Sequence, residues 1–321
     1  MHRKRLGQTD LEVSVLGFGA APLGDEYGVI DEGEAEHAVQ FAIDRGINFF
    51  DTAPYYGRTL SEERLGKALG GRRQEVLIAT KCSRYGLNDF DFSAKRVEES
   101  IDRSLRRLQT DHVDLYQIHD IEFGDLRQVI EEAVPAARKV LQAGKARYIG
   151  ITGLQLKALR RVAEAVPVDT ILSYARHNLM ARDLDKLMMP FAKERGIGLI
   201  NASPLHLRIL TPQGAPEWHP ASLEVKEIGR KVVELCEARG KPAPKVALRF
   251  CLDHPYISTT LVGLATVEQV RQNLEIFDET NDPELLAEIE ALAAPVLHHI
   301  WPSGRPENQD YPYPMEGKRK E

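Results

Sequence analysis

Short apolar runs alternate with longer stretches of helical period along most of this chain. The runs lie at 13–19, 47–51, 76–80, 113–119, 146–152, 170–174, 198–203 and 259–263. Between them, apolar positions recur every three or four residues at 32–45, 61–70, 93–108, 125–142, 155–165, 183–195, 222–239 and 266–276. Each run predicts a strand and each periodic stretch a helix. Within 93–108, Val97, Ile101, Leu105 and Leu108 fall on one helical face. The runs near 76 and 198 do not alternate with polar residues, which suits parallel strands covered on both sides. Asp31 with Glu34, and Thr266 with Gln269, have the spacing of reciprocal helix caps.

Eight such units, without a composition shift or a long linker, predict an α/β chain closed into a (β/α)8 TIM barrel, one domain over residues 1–321. A doubly wound sheet would want a glycine-rich turn opening a helix after its first strand. Gly17 and Gly19 begin that pattern, but Pro22 stands where the third glycine belongs, and the cap signal waits until Asp31. Outside the units lie an N-terminal hairpin (2–14), a proline-rich loop (203–221), helices at 244–252 and 283–296, and an irregular tail (297–321). The tail carries Trp301, Tyr311 and Tyr313 among prolines.

Composition narrows the function. The chain has 321 residues, with 42 Lys+Arg against 48 Asp+Glu, for a net charge of −6. That balance speaks against nucleic acid or another polyanion as partner. Cys82, Cys236 and Cys251 are far apart and odd in number, so neither a disulfide framework nor a cysteine-rich zinc site is expected. No apolar run approaches the ~20 residues of a membrane span, and polar residues interrupt the basic N-terminus before any signal-peptide core. The expectation is a cytoplasmic protein, monomeric or a small homo-oligomer, with no membrane partner. His298 and His299 are adjacent, and adjacent residues do not share a helix face, so no metal site is expected.

In a barrel, chemistry sits where the strands end. Here Asp51 ends the second strand with Tyr56 shortly after it, Lys81 ends the third, and His119 ends the fourth. A tyrosine hydroxyl, with an ordinary pKa near ~10, is a poor acid or base at neutral pH. A nearby ammonium lowers that pKa, and a carboxylate keeps the ammonium charged and in place. A neutral histidine can orient a substrate oxygen. Singly, each residue has a plain alternative as a turn residue, a rim charge or a packing histidine; together they allow proton transfer coupled to hydride transfer, between a carbonyl and an alcohol. Cys82 reads either as a low-pKa thiol or as a small packing residue.

The chain also resembles the aldo-keto reductases. The resemblance rests on the run from Asp51 through Pro54, Tyr55, Tyr56 and Gly57, on Ser61, Glu62, Leu65 and Gly66, on Thr80 and Lys81, and on His119 closing its strand. It extends from Leu6 and Gly7 to Asn273. Within the family the chain is most similar to the L-galactose dehydrogenase group, through 54–61, 91–93, 119–124, 150–153 and 216–222. The resemblance implies a catalytic tetrad of Asp51, Tyr56, Lys81 and His119, with Tyr56 rather than Tyr55 transferring the proton. It implies a nicotinamide dinucleotide across the barrel mouth, near Gly19, Ala20, Thr152, Gly153, Tyr174, Ser203, Leu205, Arg208, Gly263, Thr266, Gln269 and Asn273.

Several positions depart from the commonest family pattern. Thr152, Gly153 and Tyr174 stand where serine, asparagine and glutamine usually hold the carboxamide, and Ala202 stands where many members stack an aromatic ring. Gly263, Leu264 and Gln269 replace the usual lysine, serine and arginine around a 2′-phosphate, and Glu268 would repel one. NAD is therefore expected, with NADP possible if Arg208 reaches the phosphate; Lys245 and Arg271 read as surface charges. The helix starting at Thr266 could favour a phosphate at its N-terminus. Tyr55, Asp120, Trp218 and Trp301 are candidate walls of a sugar or carbonyl pocket; His219 is another, and Glu122 could bind sugar hydroxyls. Asp120 and Glu122 read equally as rim charges, and the tryptophans as loop packing.

What the resemblance implies is NAD-dependent oxidation of L-galactose, or a similar aldose, at C1 to the lactone. A broad NADPH-dependent aldehyde or ketone reductase is the second expectation. A cofactor-binding regulatory subunit without turnover is the third.

Overall fold

In the computed structural model, described here for residues 1–310, the apolar runs become the staves of a barrel. Tyr311, Tyr313 and the rest of the tail expected as irregular lie outside the described residues. Strands β1 (Arg3–Arg5) and β2 (Glu12–Ser14) pair antiparallel as the expected hairpin. Strands β3 (Leu16–Gly19), β4 (Phe49–Asp51), β5 (Leu77–Cys82), β6 (Val113–Ile118), β7 (Ala146–Gly153), β8 (Thr170–Tyr174), β9 (Gly198–Ala202) and β10 (Thr259–Gly263) follow in order. They are all parallel, and β10 closes on β3. The element pattern and the barrel are those expected of an eight-unit chain.

The expected strand at 13–19 is two strands. Ser14 donates from its hydroxyl to the Leu16 carbonyl, and its N–H is taken by Asn48 Oδ1 at 2.7 Å. Those bonds turn the chain at Val15, so the first half joins the hairpin and the second half the barrel. Leu6, Leu11 and Val13 of the hairpin are buried against Phe49, Ala79, Leu115 and Ile200, which point inward from the strands. The N-terminal end of the barrel is therefore plugged by aliphatic side chains.

Two expected helices are not uniform. Within 125–142 a wide π turn occupies Val129–Ala133, and within 183–195 another occupies Leu184–Met188. Each is followed, after one intervening residue, by a proline, Pro135 or Pro190. Proline lacks the N–H and its ring collides with the carbonyl four residues back, so a widened turn lets the helix continue past it.

The reciprocal caps are only half formed. Asp31 accepts from the Glu34 N–H and Thr266 from the Gln269 N–H, as the spacing requires. The Glu34 carboxylate does not return to Asp31, however. It crosses to accept the Val267 N–H at 2.8 Å, at the start of the helix after β10. Gln269 likewise takes the N–H of Ala265 rather than that of Thr266.

The described tail is a packed strap. Asp310 accepts the Leu156 and Lys157 N–H groups at the start of one helix and pairs with the buried Arg176. Among the described residues, no helix is long and apolar enough to cross a membrane.

Candidate active site

The ends of β4, β5 and β6 bring Asp51, Lys81 and His119 to one face of the barrel, and the turn after β4 adds Tyr56. That turn is fixed by glycine. Gly57 has φ +60°, and a Cβ there would fall 2.2 Å from the carbonyl oxygen of Gly24. Only glycine lets the two loops pass this closely, and their contact sets the position of Tyr56.

Lys81 is buried. Its ammonium donates to Asp51 Oδ1 at 2.5 Å, to the Thr52 carbonyl at 2.8 Å and to the Tyr56 hydroxyl at 3.4 Å. The other oxygen of Asp51 accepts from Gln117 Nε2 at 2.9 Å. Burial raises the Asp51 carboxyl, and Lys81 and Gln117 oppose that rise. The His119 ring lies edge-on to Tyr56, 5.7 Å between centroids. Burial, then the charges of Lys81 and Arg84, lower the His119 pKa far enough to keep the imidazole neutral. Its Nδ1 is buried without a partner among the described residues.

One expectation needs correcting. Lys81 was expected to pull the Tyr56 hydroxyl toward phenolate, but that hydroxyl is pushed well above its ordinary value, first by burial and then by the Asp51 carboxylate. The ammonium is closer to Asp51 than to Tyr56, and a charge already neutralised by a carboxylate stabilises a phenolate poorly. Tyr56 therefore stands as a proton-holding phenol.

The expected cofactor residues fall on the same barrel face. Gly19, Gly153, Tyr174 and Gly263 end strands; Thr152 Oγ1 accepts the Asp120 N–H at 3.1 Å, which leaves its O–H free to donate. Ala20 is buried, its N–H bonded to the Asp51 carbonyl. Ser203, Leu205 and Arg208 lie in the loop after β9. There Ser203, His206, Leu207 and Arg208 all have left-handed backbone, a conformation that can gather N–H groups into an anion-binding concavity. That loop and the open strand ends fit a dinucleotide.

The helix start at Thr266 fits less well, against expectation. Its Val267 and Gln269 N–H groups, and that of Ala265 before it, are already taken by Glu34, Thr266 and Gln269. Asn273 is bonded back to its own helix.

The pocket candidates separate. Tyr55 and Asp120 stand beside the tetrad, Tyr55 with its ring 6.1 Å from His119 and Asp120 with Oδ2 3.7 Å from His119 Nε2. Trp301 is buried edge-on against His206 and His219, so it packs the strap onto the loop after β9; Trp218 is largely exposed. Cys82 is buried, its thiol pushed up to about 11, so it packs rather than reacts.

Sequence reasoning missed Gln117, Arg84 and the reach of Glu34. Gln117 had a signal: it lies on β6 two residues before His119, which directly follows that strand, so both fall on the inward alternation. A cluster of His177, Asp185 and His254 also went unremarked. His254 Nδ1 accepts two backbone N–H groups, so its Nε2 carries the proton and faces Asp185 as a donor rather than as a metal ligand.

A buried carboxylate–ammonium–phenol chain beside a neutral imidazole, at the open end of a parallel barrel, defines a proton-transfer site of the carbonyl–alcohol type. The chain belongs to the aldo/keto reductase family, whose model matches residues 15–294. It is thus a nicotinamide-dependent oxidoreductase. Among its relatives, the L-galactose dehydrogenase of Arabidopsis thaliana is 48% identical over 95% of this chain and 98% of its own length. The D-threo-aldose 1-dehydrogenase of a Pseudomonas species is 30% identical over 83% of this chain and 89% of its own. The solved holo form of an aldo-keto reductase, AKR11C1 from Bacillus halodurans, superposes with TM-score 0.77 at 29% identity, covering 93% of this chain and 98% of that one.

Proposed function

We propose that this protein oxidises an aldose at its anomeric carbon, with L-galactose or a close analogue as substrate and NAD as hydride acceptor. The observation that carries the chemistry is Lys81 shared between Asp51 and the Tyr56 hydroxyl, beside a neutral His119. The choice of sugar is supported by the likeness to an L-galactose dehydrogenase along nearly the whole chain. When bound, the nicotinamide supplies the acceptor for the hydride leaving C1. The chain's own residues handle the proton. The Tyr56 hydroxyl receives it from the sugar hydroxyl while handing its own onward, with neutral His119 relaying that proton toward the open mouth rather than keeping it. Lys81 and Asp51 hold Tyr56 in place. Ser203, Leu205 and Arg208 would hold the pyrophosphate end.

NAD is favoured over NADP by the helix after β10. A barrel commonly binds phosphate at a helix start after its last strands, but here Glu34 places a carboxylate on that start. A 2′-phosphate needs a cation with matched donors, and Gly263, Leu264 and Gln269 offer none.

The test is the rate of NADH or NADPH formation over a panel of stereoisomeric aldoses, for the wild type and Glu34→Gln. Oxidation of L-galactose with a kcat/KM at least tenfold higher for NAD is expected, and the variant should narrow that ratio. Turnover of small aldehydes with NADPH alone would refute the reading.

A further inference from the structure

Arg84 stands two residues beyond the end of β5, as Asp120 stands two beyond the end of β6, and the two side chains form an ion pair directly beside the tetrad. Both are largely buried, Arg84 at 14% side-chain exposure and Asp120 at 3%. The guanidinium carbon lies 3.8 Å from the ring centroid of Tyr55, with the stacked rings of Phe90 and Phe123 at 5.3 and 5.5 Å. Asp120 is held in left-handed backbone at φ +48°, its N–H bonded to Thr152 Oγ1. For a residue other than glycine that conformation is costly and has to be maintained by its surroundings.

Stability alone does not account for this pair. Removing two charges from water costs several kcal/mol per ion, and an apolar pair of similar volume is often at least as stabilising. The pair is also incompletely satisfied. The guanidinium has five N–H donors, yet Asp120 is its only hydrogen-bond partner among the described residues, and its buried Nε has none. Asp120 accepts from Arg84 through Oδ2, while Oδ1 accepts from no described residue. Free donors and a free carboxylate oxygen lie side by side, next to the ring that would hold the reacting oxygen.

We propose that Arg84 and Asp120 form the polyol-reading wall of this pocket. Asp120 accepts a hydrogen bond from one hydroxyl of the sugar, and Arg84 donates one to the oxygen of a neighbouring hydroxyl. Such a pair selects a polyhydroxylated substrate over a plain aldehyde of similar size, because only the former satisfies both charges. Tyr55 and the Phe90–Phe123 stack hold the guanidinium plane in the orientation this requires. The proposal rests on the aldose reading above and adds the residues that recognise the sugar beyond C1.

The test compares Asp120→Asn and Arg84→Met with the wild type on three substrates: L-galactose, its singly deoxygenated analogues, and, in the reducing direction with NADH, a hydroxyl-free aldehyde such as propanal. Both variants should lose about 10- to 100-fold in kcat/KM for L-galactose, as expected for a hydrogen bond to a charged group. The loss should appear mainly in KM, and should be at least tenfold larger for L-galactose than for propanal, which meets the tetrad but not the wall. Removing the contacted hydroxyl from the sugar should cost the wild type heavily and the variant little. Equal losses on sugar and propanal, or deoxygenation costs that are the same in wild type and variants, would overturn the proposal. NADH titration by fluorescence reports whether each variant still folds and binds cofactor; should either fail to, Asp120→Glu and Arg84→Lys replace them under the same criteria. A wild type that reduces propanal but oxidises no aldose would overturn the functional reading and this proposal with it, whereas aldose oxidation with unselective losses overturns the proposal alone.

Discussion

The two ends of the barrel are built from the same strands and could hardly differ more in chemistry. In β4, Phe49 points into the lower end and Asp51, two residues on, into the mouth. In β5 the pair is Ala79 and Lys81, and in β6 it is Leu115 followed by Gln117. Inward positions recur every second residue, so one step along each strand converts an aliphatic plug into a cluster of buried charge. The lower end, with Leu6, Leu11 and Val13 seated on it, owes its stability to apolar area removed from water. The mouth holds Asp51, Lys81, His119, Asp120 and Glu122 at 5% exposure or less, an arrangement that costs stability to maintain. The plug stabilises the scaffold; the mouth spends part of that stability on tuned ionisable groups.

Substitutions at the two ends should therefore separate activity from stability. The largest effect is expected at the mouth. Tyr56→Phe removes the hydroxyl proposed to transfer the proton and should lower kcat about a hundred- to ten-thousandfold, while the melting temperature and NADH binding stay near wild type. Single-turnover rates together with calorimetry would check this; residual activity near wild type would break the assignment. At the plug, Leu11→Ala should cost about 2–5 kcal/mol of unfolding free energy, with kcat little changed at temperatures where the protein remains folded. Denaturant titration measures the first quantity, and a fall in kcat matching that of a tetrad variant would erase the contrast.

The smallest and most specific effect concerns Glu122, fully buried beneath the strap. Burial, then the nearby Asp120 carboxylate, push its carboxyl from 4.5 up to about 8. The folded state therefore keeps a proton that the unfolded chain gives up from about 4.5 upward. Glu122's contribution to stability is fully present below about pH 4.5 and is lost as pH rises through about 8. Glu122→Gln should flatten that decline, so the two melting curves should differ more in pH slope above 4.5 than in height below it. A variant with the wild-type slope would show that Glu122 is ionised at neutral pH.

Much of this was legible from the chain. The eight units, the hairpin and the tetrad positions follow from periodicity and from which polar residues close the apolar runs, because strand and helix periods are local properties. What failed was reach. Asp31 with Glu34 reads as a self-contained cap, yet Glu34 finds a better donor on a helix more than two hundred residues away. Trp301 reads equally as a pocket wall or as loop packing, and its contact with histidines of another loop, which the sequence does not show, is the packing one. Arg84 carried no signal, since a basic residue two places past a strand resembles any rim charge.

The order of strands, their inward faces and the residues that end them were determined by the sequence itself, through hydrophobic period and turn chemistry. The protonation states were decided by the tertiary structure. Whether Tyr56 is phenol or phenolate, whether His119 is charged, and whether the helix after β10 can accept a phosphate depend on distances and desolvation among groups far apart in the chain. Those interactions scale with separation and burial, which exist only once the barrel has closed.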